Sequence, residues 1–157
     1  MTTATNERQS VDSFEIRKEI EIAAPIELAF EAVLDELGPE SQMPGGQPFP
    51  MKIEPWPGGR WFRDLGNNTG HFWGQVQVIK PPTLLEICGP LMMSYPAVNH
   101  LQYRLKAEGG VTRLAFLHRG MGSIQPEHLD GMPKGWQYWL ERIRELAERK
   151  NRKETKR

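Results

Sequence analysis

The chain ends in a stretch whose apolar residues recur every three or four positions, and this stretch constrains the fold more than any other feature. It begins near Pro133 and runs to about Lys150. Spacing of this kind predicts one long amphipathic helix. Such a helix has to bury its apolar face against other elements of the same domain. The apolar positions are Trp136, Trp139, Leu140, Ile143, Leu146 and Ala147.

The residues before this helix predict an antiparallel sheet. From Phe14 to Ile22 apolar and charged residues alternate, as in a half-buried strand. Lys18 interrupts the apolar row, so it either marks a sheet edge or reaches into a wet pocket. A short helix follows from Pro25, and Gly38 with Pro39 ends it.

Proline and glycine divide the middle of the chain. Between 39 and 59 they predict a loop-rich crossover with at most a short strand near 51–54. Glycine and asparagine turns then indicate two hairpins, 59–65 with 71–80 and 100–107 with 111–119, and a strand at 83–88. Leu114 to Leu117 are apolar on both faces, which predicts a mid-sheet strand covered on each side.

Composition limits the classes of partner. Lys plus Arg and Asp plus Glu are both 20, so no overall field draws the chain to nucleic acid or to an anionic membrane. Cys88 is the single cysteine, which excludes a disulfide framework and a multi-cysteine zinc site and favours a small buried role. We expect no cofactor and no metal, because the usual nucleotide-binding motifs and metal-binding spacings are missing. We expect a cytoplasmic location, because a signal segment and a long apolar run are both missing.

Short motifs in a fixed order resemble the START-like, or SRPBCC, superfamily, and most of all its bacterial branch similar to the activator of the heat-shock-protein ATPase. The resemblance implies an α+β helix-grip fold. In that fold a curved antiparallel sheet of six to seven strands surrounds a long C-terminal helix, with a short helical segment after strand 1. The motifs are Ile20-Glu21-Ile22-Ala23-Ala24-Pro25, Pro57-Gly58-Gly59-Arg60, Gly74-Gln75-Val76 before Pro81-Pro82, Thr112-Arg113-Leu114, His118-Arg119-Gly120, and Gly135-Trp136 with Leu140-Glu141-Arg142-Ile143.

The likeness predicts one ligand-binding domain over 12–150. Polar residues 1–11 are expected to form a disordered tail, and 151–157 a basic disordered tail that does not bind nucleic acid. The family implies a cavity between sheet and helix that holds an apolar molecule, but it implies no single reaction.

Aromatic residues supply the candidate ligand site. The alternation places Tyr103 and Phe116 opposite Trp136 and Trp139, and each of them either fills the core or lines a cavity. Trp61, Phe72 and Leu140 are further candidate lining residues.

Among four histidines, which lack metal-binding spacing, His118 is the single weak catalytic candidate. It shares a face with Phe116, so it would anchor a ligand or move a proton, or else serve as a structural histidine bonded to the loop after it. Glu86 is a pocket carboxylate or faces solvent.

Three function classes follow from these residues. The first is binding of a small hydrophobic or amphipathic molecule, by a monomer or homodimer that does not insert into membranes. The second is a polyketide cyclase or dehydratase that uses the same cavity. We rank this enzyme below a non-enzymatic role, because a second titratable group in the cavity is missing. The third is a co-chaperone or regulator that binds a protein partner.

Overall fold

The computed structural model describes residues 2–156, and it contains one sheet and two helices in that range. Residues 2–11 are exposed and lie outside helices and strands, while Met1 and Arg157 lie outside the described residues. The elements are β1 (Asp12–Ile22), α1 (Ile26–Leu37), β2 (Lys52–Ile53), β3 (Arg60–Gly66), β4 (Thr69–Lys80), β5 (Leu84–Gly89), β6 (Ala97–Glu108), β7 (Val111–Gly122) and α2 (Pro126–Thr155).

The sheet has seven strands within the described residues, in the order β1-β7-β6-β5-β4-β3-β2. Every neighbouring pair is antiparallel. β1 is an edge strand, which agrees with the first of the two interpretations of Lys18. The α+β helix-grip fold predicted from the sequence, with a short helix after strand 1 and a long C-terminal helix, is confirmed.

The core lies between the inner face of the sheet and α2. Leu101, Leu114 and Phe116 face it from β6 and β7, and Leu140 and Ile143 face it from α2; all are at most 2% exposed. Alternation along each strand puts these apolar side chains on one face, so a single helix suffices to cover the middle of the sheet.

The first helix closes one end of this core. Lys150 of α2 forms an ion pair with Asp35 of α1 at 2.9 Å. Beyond it, Asn151 donates a hydrogen bond to the carbonyl oxygen of Ala23, just before α1. The C-terminal half of α2 is therefore fixed both to α1 and to the turn that precedes it.

Two predicted helix boundaries are wrong. The helix begins at Pro126, seven residues before Pro133, because Pro126 occupies a first-turn position where its missing N–H leaves no hydrogen bond unmade. It ends at Thr155, so the predicted disordered tail is helical from 151 to 155. The contact of Asn151 with Ala23 and the hydroxyl of Thr155 bonded to the Asn151 carbonyl oxygen help to hold this last turn.

The predicted cover on both faces of the Leu114–Leu117 strand is also wrong. β7 does lie mid-sheet between β1 and β6. Its outer face, however, is open: Ala115 is exposed and Leu117 is half-buried. Both helices pack on the other face, so apolar residues on the outer face bury little surface on folding.

A bulge in β4 reverses the predicted orientation of Phe72. The register passes from Trp61 opposite Gly74 to Phe62 opposite Phe72, so Trp73 is an extra residue in its strand. Trp73 consequently points into the core at 9% exposure, and Phe72 is 48% exposed. The expectation that Phe72 lies between sheet and helix is therefore wrong.

Within residues 2–156, none of the helices combines the length and the apolar character needed to cross a bilayer.

Truncation after Gly135 should abolish cooperative unfolding. It removes Trp136, Leu140, Ile143 and Leu146, which are all buried. Each such side chain contributes about 1.5–3 kcal/mol, and their sum is comparable with the total stability of a domain, about 5–15 kcal/mol.

Deletion of 152–157 is the control for this truncation. Residues 152–156 are exposed, so their loss should change the free energy of unfolding by less than about 0.5 kcal/mol. Thermal unfolding followed by circular dichroism measures both variants. A cooperative transition in the variant truncated after Gly135 would contradict the architecture.

Candidate functional site

Four of the predicted aromatic residues form one continuous row. The ring centroids of Tyr103 and Phe116 are 5.1 Å apart, those of Phe116 and Trp136 are 4.4 Å apart, and those of Trp136 and Trp139 are 5.1 Å apart. Tyr103, Phe116 and Trp136 are at most 3% exposed, as is Leu140, so these four fill the core. Trp139 is half-buried and reaches the surface of the domain.

Trp61 is a core residue with a structural hydrogen bond. It is 3% exposed, and its indole N–H donates to the carbonyl oxygen of Leu37 at 2.7 Å. That carbonyl belongs to the last turn of α1, where backbone oxygens lack partners within the helix. Its ring packs edge-on against Trp73, with centroids 5.1 Å apart.

His118 is fully buried and uses both ring nitrogens. The Trp136 indole N–H donates to Nδ1 at 2.9 Å, so Nδ1 carries no proton. Nε2 lies 2.7 Å from Oδ1 of Asn99 and therefore donates to it. The histidine is thus neutral and fixed in one tautomer, and its partners are Asn99 and Trp136 rather than the following loop.

Burial lowers the pKa of His118 to about 4. Its imidazole therefore stays neutral across the physiological range, and in this arrangement neither nitrogen is available to a ligand. Asn99 extends the chain of hydrogen bonds, because its amide nitrogen donates to the carbonyl oxygens of Gly89 and Pro90 at 3.2 and 3.3 Å. His118 thereby joins α2 to the end of β5.

Glu86 lies on the outer side of the sheet. It alternates with Leu85 and Ile87, which are both 0% exposed and face the core. Its carboxylate accepts a hydrogen bond from Gln102 at 2.9 Å and lies 3.2 Å from Nε2 of His100. Of the two interpretations of Glu86, the structure supports the one outside the pocket.

A cleft opens beside the N-terminal half of α2. Its volume is about 440 Å³. Trp139 forms one wall, and its indole N–H donates to the Gln42 carbonyl oxygen at 2.7 Å, which ties the proline-rich crossover to the helix. The lining is mostly apolar and comprises Met43, Pro44, Phe49, His71, Trp73, Met92, Glu127, His128, Gly131, Met132, Gly135 and Trp139.

A smaller, partly open void adjoins the cleft. Its volume is about 20 Å³, enough for one water-sized group, since a water needs roughly 10–15 Å³ by this measure. The side chains that line both spaces, and so separate them, are Met43, Phe49, Trp73 and Trp139. The remaining lining residues of the void are Glu36, Leu37, Ser41, Gln42, Trp61 and Trp136.

Glu36 brings a carboxyl group to this void from α1. It is 3% exposed, and burial raises its pKa well above the ordinary value, although the positive charge of Arg142 opposes the rise. The hydroxyl of Tyr103 is fully buried and has no hydrogen-bond partner among residues 2–156. Burial, and secondarily the Glu36 charge, raises the pKa of Tyr103.

Of the residues that line the cleft, the sequence interpretation named only Trp139, and it also missed Glu36 in the void. Met43 and Phe49 lie in the crossover, where no periodicity applies, and Trp73 was hidden by the bulge. Glu36 did carry a signal, because it follows Val33 by three residues and so shares the apolar face of α1.

Within residues 2–156, no three His, Cys, Asp or Glu side chains are grouped to hold a metal ion.

The curved sheet, the long helix and the adjoining cleft define the class of the protein, a START-like or SRPBCC helix-grip domain. A family model described as Activator of Hsp90 ATPase homolog 1-like protein matches residues 23–148, and the chain belongs to that family. The resemblance drawn from the sequence motifs is therefore confirmed. No curated protein matched the chain.

Solved structures share the fold at low identity. A protein from Rhizobium leguminosarum is 17% identical, covers 91% of this chain and 99% of its own, and has a TM-score of 0.68. CalU16 from Micromonospora echinospora is 19% identical over 87% of this chain and 80% of its own, with a TM-score of 0.58. DynU16, from the dynemicin biosynthetic locus, is 17% identical over 85% of this chain and 47% of its own, with a TM-score of 0.60.

The neutral state of His118 predicts an acid-sensitive fold. Its ordinary pKa is about 6.5, and the folded value is about 4. Between these values the unfolded chain binds a proton that the folded chain does not, so stability falls as the pH falls. The loss at pH 4 is about 3 kcal/mol relative to pH 7.

Urea unfolding of the wild type and of His118→Gln at pH 7, 5 and 4 checks this expectation. Glutamine can donate and accept but does not titrate in this range. The difference in unfolding free energy between the two proteins should therefore shrink towards pH 4. A difference that does not vary with pH would show that folding leaves the pKa of His118 unshifted, which would contradict its burial in the neutral form.

Glu36 predicts the opposite dependence. Its folded pKa lies above the unfolded value near 4.5, so the folded chain binds the extra proton and stability falls as the pH rises above about 4.5. Glu36→Gln keeps the size and neutrality of the acid but cannot ionise. The variant should gain stability relative to wild type between pH 4.5 and 8 in urea unfolding, and a constant difference would contradict a buried neutral Glu36.

Proposed function

We propose that this protein binds a small apolar or amphipathic molecule in the cleft beside α2. The observation that carries the proposal is the cleft itself, about 440 Å³ of mostly apolar space walled by Phe49, Trp73 and Trp139. This volume falls within the range of about 300–1,000 Å³ that is usual for small-molecule sites. Flat aromatic walls supply contact area and favour ligands with rings or extended apolar chains.

The lining also favours some breadth of ligand shape. Met43, Met92 and Met132 all contribute to it, and methionine side chains are unbranched and adapt to irregular partners. Polar groups stand among them, where His71, Glu127 and His128 line the same cleft. His128 is oriented by Tyr95, whose hydroxyl lies 2.6 Å from its Nδ1. An amphipathic molecule with one polar end matches this distribution.

The residues proposed from the sequence take two roles in this proposal. Trp139 contacts the ligand directly, while Trp61, Tyr103, Phe116, Trp136 and Leu140 hold the walls from behind. Enzymatic cyclisation and a protein partner stay predictions from the sequence. The hydrogen bonds of His118 offer no support for its use as a proton shuttle.

Ligand binding should raise the melting temperature and change tryptophan emission. A ligand at 100 times its dissociation constant stabilises the native state by about 2.7 kcal/mol. Fatty acids, sterols and aromatic polyketides form the test panel. Native mass spectrometry of freshly purified protein would identify any co-purified molecule.

Gly131 gives the sharpest variant. It lines the cleft within α2, and a Cβ atom there would meet no atom within 4 Å. Gly131→Ala and Gly131→Leu should both stabilise the helix by about 0.5–1 kcal/mol. Only the leucine side chain extends into the cleft, so only Gly131→Leu should lose the ligand-induced shift in melting temperature.

The alanine variant is the matched control, because it changes helix propensity without occupying the space. The binding proposal fails if the whole panel moves neither melting temperature nor emission in the wild type. It also fails if Gly131→Leu binds ligands as the wild type does.

A further inference from the structure

The void has one ionisable group in its described lining, and that group is the Glu36 carboxyl. The rest of the lining is aromatic or aliphatic, apart from Ser41 and Gln42. Gln42 is already engaged, since its side-chain oxygen accepts a hydrogen bond from Tyr138 at 3.1 Å. A carboxyl group that is 3% exposed and lines so small a space is therefore the main polar feature of the void.

Burial favours the neutral, protonated form of Glu36. Two groups face it from neighbouring elements: the Tyr103 hydroxyl from β6 and the Arg142 guanidinium from α2. Arg142 is only partly available to balance a charge on Glu36, because its NH2 nitrogen donates to the Glu40 carbonyl oxygen at 3.2 Å and its NH1 nitrogen lies 3.6 Å from Glu145. Burial outweighs its attraction and raises the pKa of Glu36. A protonated carboxyl has an O–H group that can donate.

Unused hydrogen-bonding capacity surrounds this acid. The Tyr103 hydroxyl and the Nε atom of Arg142 are both buried, and neither has a partner among the described residues. Leaving such groups unpaired costs about 1–3 kcal/mol each. Neither group lines the void itself, so they mark unsatisfied polarity next to Glu36 rather than a direct ligand contact.

Met43 stands between this acid and the cleft. It lines both spaces and is 39% exposed. It lies at the start of a tight turn, with Gly45 and Gly46 at φ values of +106° and +91°. A flexible methionine on such a turn can move without disturbing the sheet.

We propose that the void beside the cleft recognises a neutral oxygen atom, such as that of a ketone, through the Glu36 carboxyl group. The ligands would then be uncharged apolar molecules that carry one such oxygen at the end that enters first. This inference rests on the proposed binding function and narrows it to a chemical class. A ligand carboxylate is disfavoured, because its charge would have to leave water for a mostly apolar site.

Three ligands of nearly equal shape separate these possibilities. They are 2-acetylnaphthalene, which carries a ketone, 2-isopropylnaphthalene, which carries no oxygen, and 2-naphthoate, which carries a carboxylate. Isothermal titration calorimetry at pH 6 measures the dissociation constant of each for wild type, Glu36→Gln and Glu36→Leu. We expect wild type to bind the ketone about tenfold more tightly than the hydrocarbon, and more tightly than the carboxylate.

The variants test the role of Glu36 itself. Glutamine keeps a neutral donor in place, so Glu36→Gln should retain the preference for the ketone. Leucine removes the donor, so Glu36→Leu should bind the ketone and the hydrocarbon with about equal affinity. Raising the pH should weaken ketone binding by wild type but not by Glu36→Gln, because only the glutamate ionises. This pH comparison tests the inference even if Glu36→Leu does not fold.

The outcomes separate the two proposals. Equal binding of ketone and hydrocarbon by wild type would overturn the role of Glu36 and leave the binding site intact. A preference for the ketone that survives in Glu36→Leu, or tightest binding of the carboxylate, would overturn it as well. Failure of all three ligands to bind would overturn the inference, and failure of the wider panel would also overturn the proposed function.

Discussion

The contact of Trp136 with the inner face of the sheet determines the geometry of this molecule. Its ring packs on Phe116 at 4.4 Å, and its indole N–H donates to a histidine that is itself bonded to Asn99. A buried hydrogen bond of this kind has a direction, which apolar packing lacks, so it fixes both the rotation of α2 and its height above β7. With α2 fixed there, the helix face that carries Gly131 and Gly135 looks onto the crossover. These glycines lack side chains, so the helix does not fill the space in front of them, and Trp139 packs against Gly135, where a Cβ atom would lie 3.2 Å from the indole ring.

Two of the buried titratable groups, His118 and Glu36, have opposite effects on the pH dependence of stability. His118 has its hydrogen bonds satisfied in the neutral form, so its protonation would destabilise the fold. Burial favours the neutral form of Glu36 for a different reason, because the charged form is costly there and the nearby Arg142 only partly offsets that cost. A well-packed apolar residue at position 36 would avoid this cost, as buried ionisable groups often reduce stability relative to apolar ones. Local features that lower stability are characteristic of sites that act on other molecules, and this reasoning distinguishes Glu36 from His118 as a candidate site residue.

The fold was predictable from the sequence because alternation and helical spacing persist over long segments, as in 14–22, 100–119 and 133–150. The site was less predictable for specific reasons. Strand periodicity assigned Phe72 to the interior, and a one-residue bulge gave that place to Trp73. Pro133 looked like a helix start but lies inside α2, since a first-turn proline was also available at 126. The partner of His118, Asn99, is 19 residues away, and only the register of β6 against β7 brings the two together.

The position of the cleft follows from how the two helices share the cover of the sheet. At its C-terminal half α2 is fastened to α1 by Lys150 and Asp35, and to the turn before α1 by Asn151, so the core is closed at that end. At its N-terminal half α2 packs on the sheet through Trp136, and its other side meets the proline-rich crossover, which cannot form regular layers. The prolines that made this segment hard to interpret from the sequence are therefore part of the reason why a cavity exists here. Glu36 stands near the end of α1, where helical cover gives way to loop, so the buried acid and the open cleft meet at this boundary.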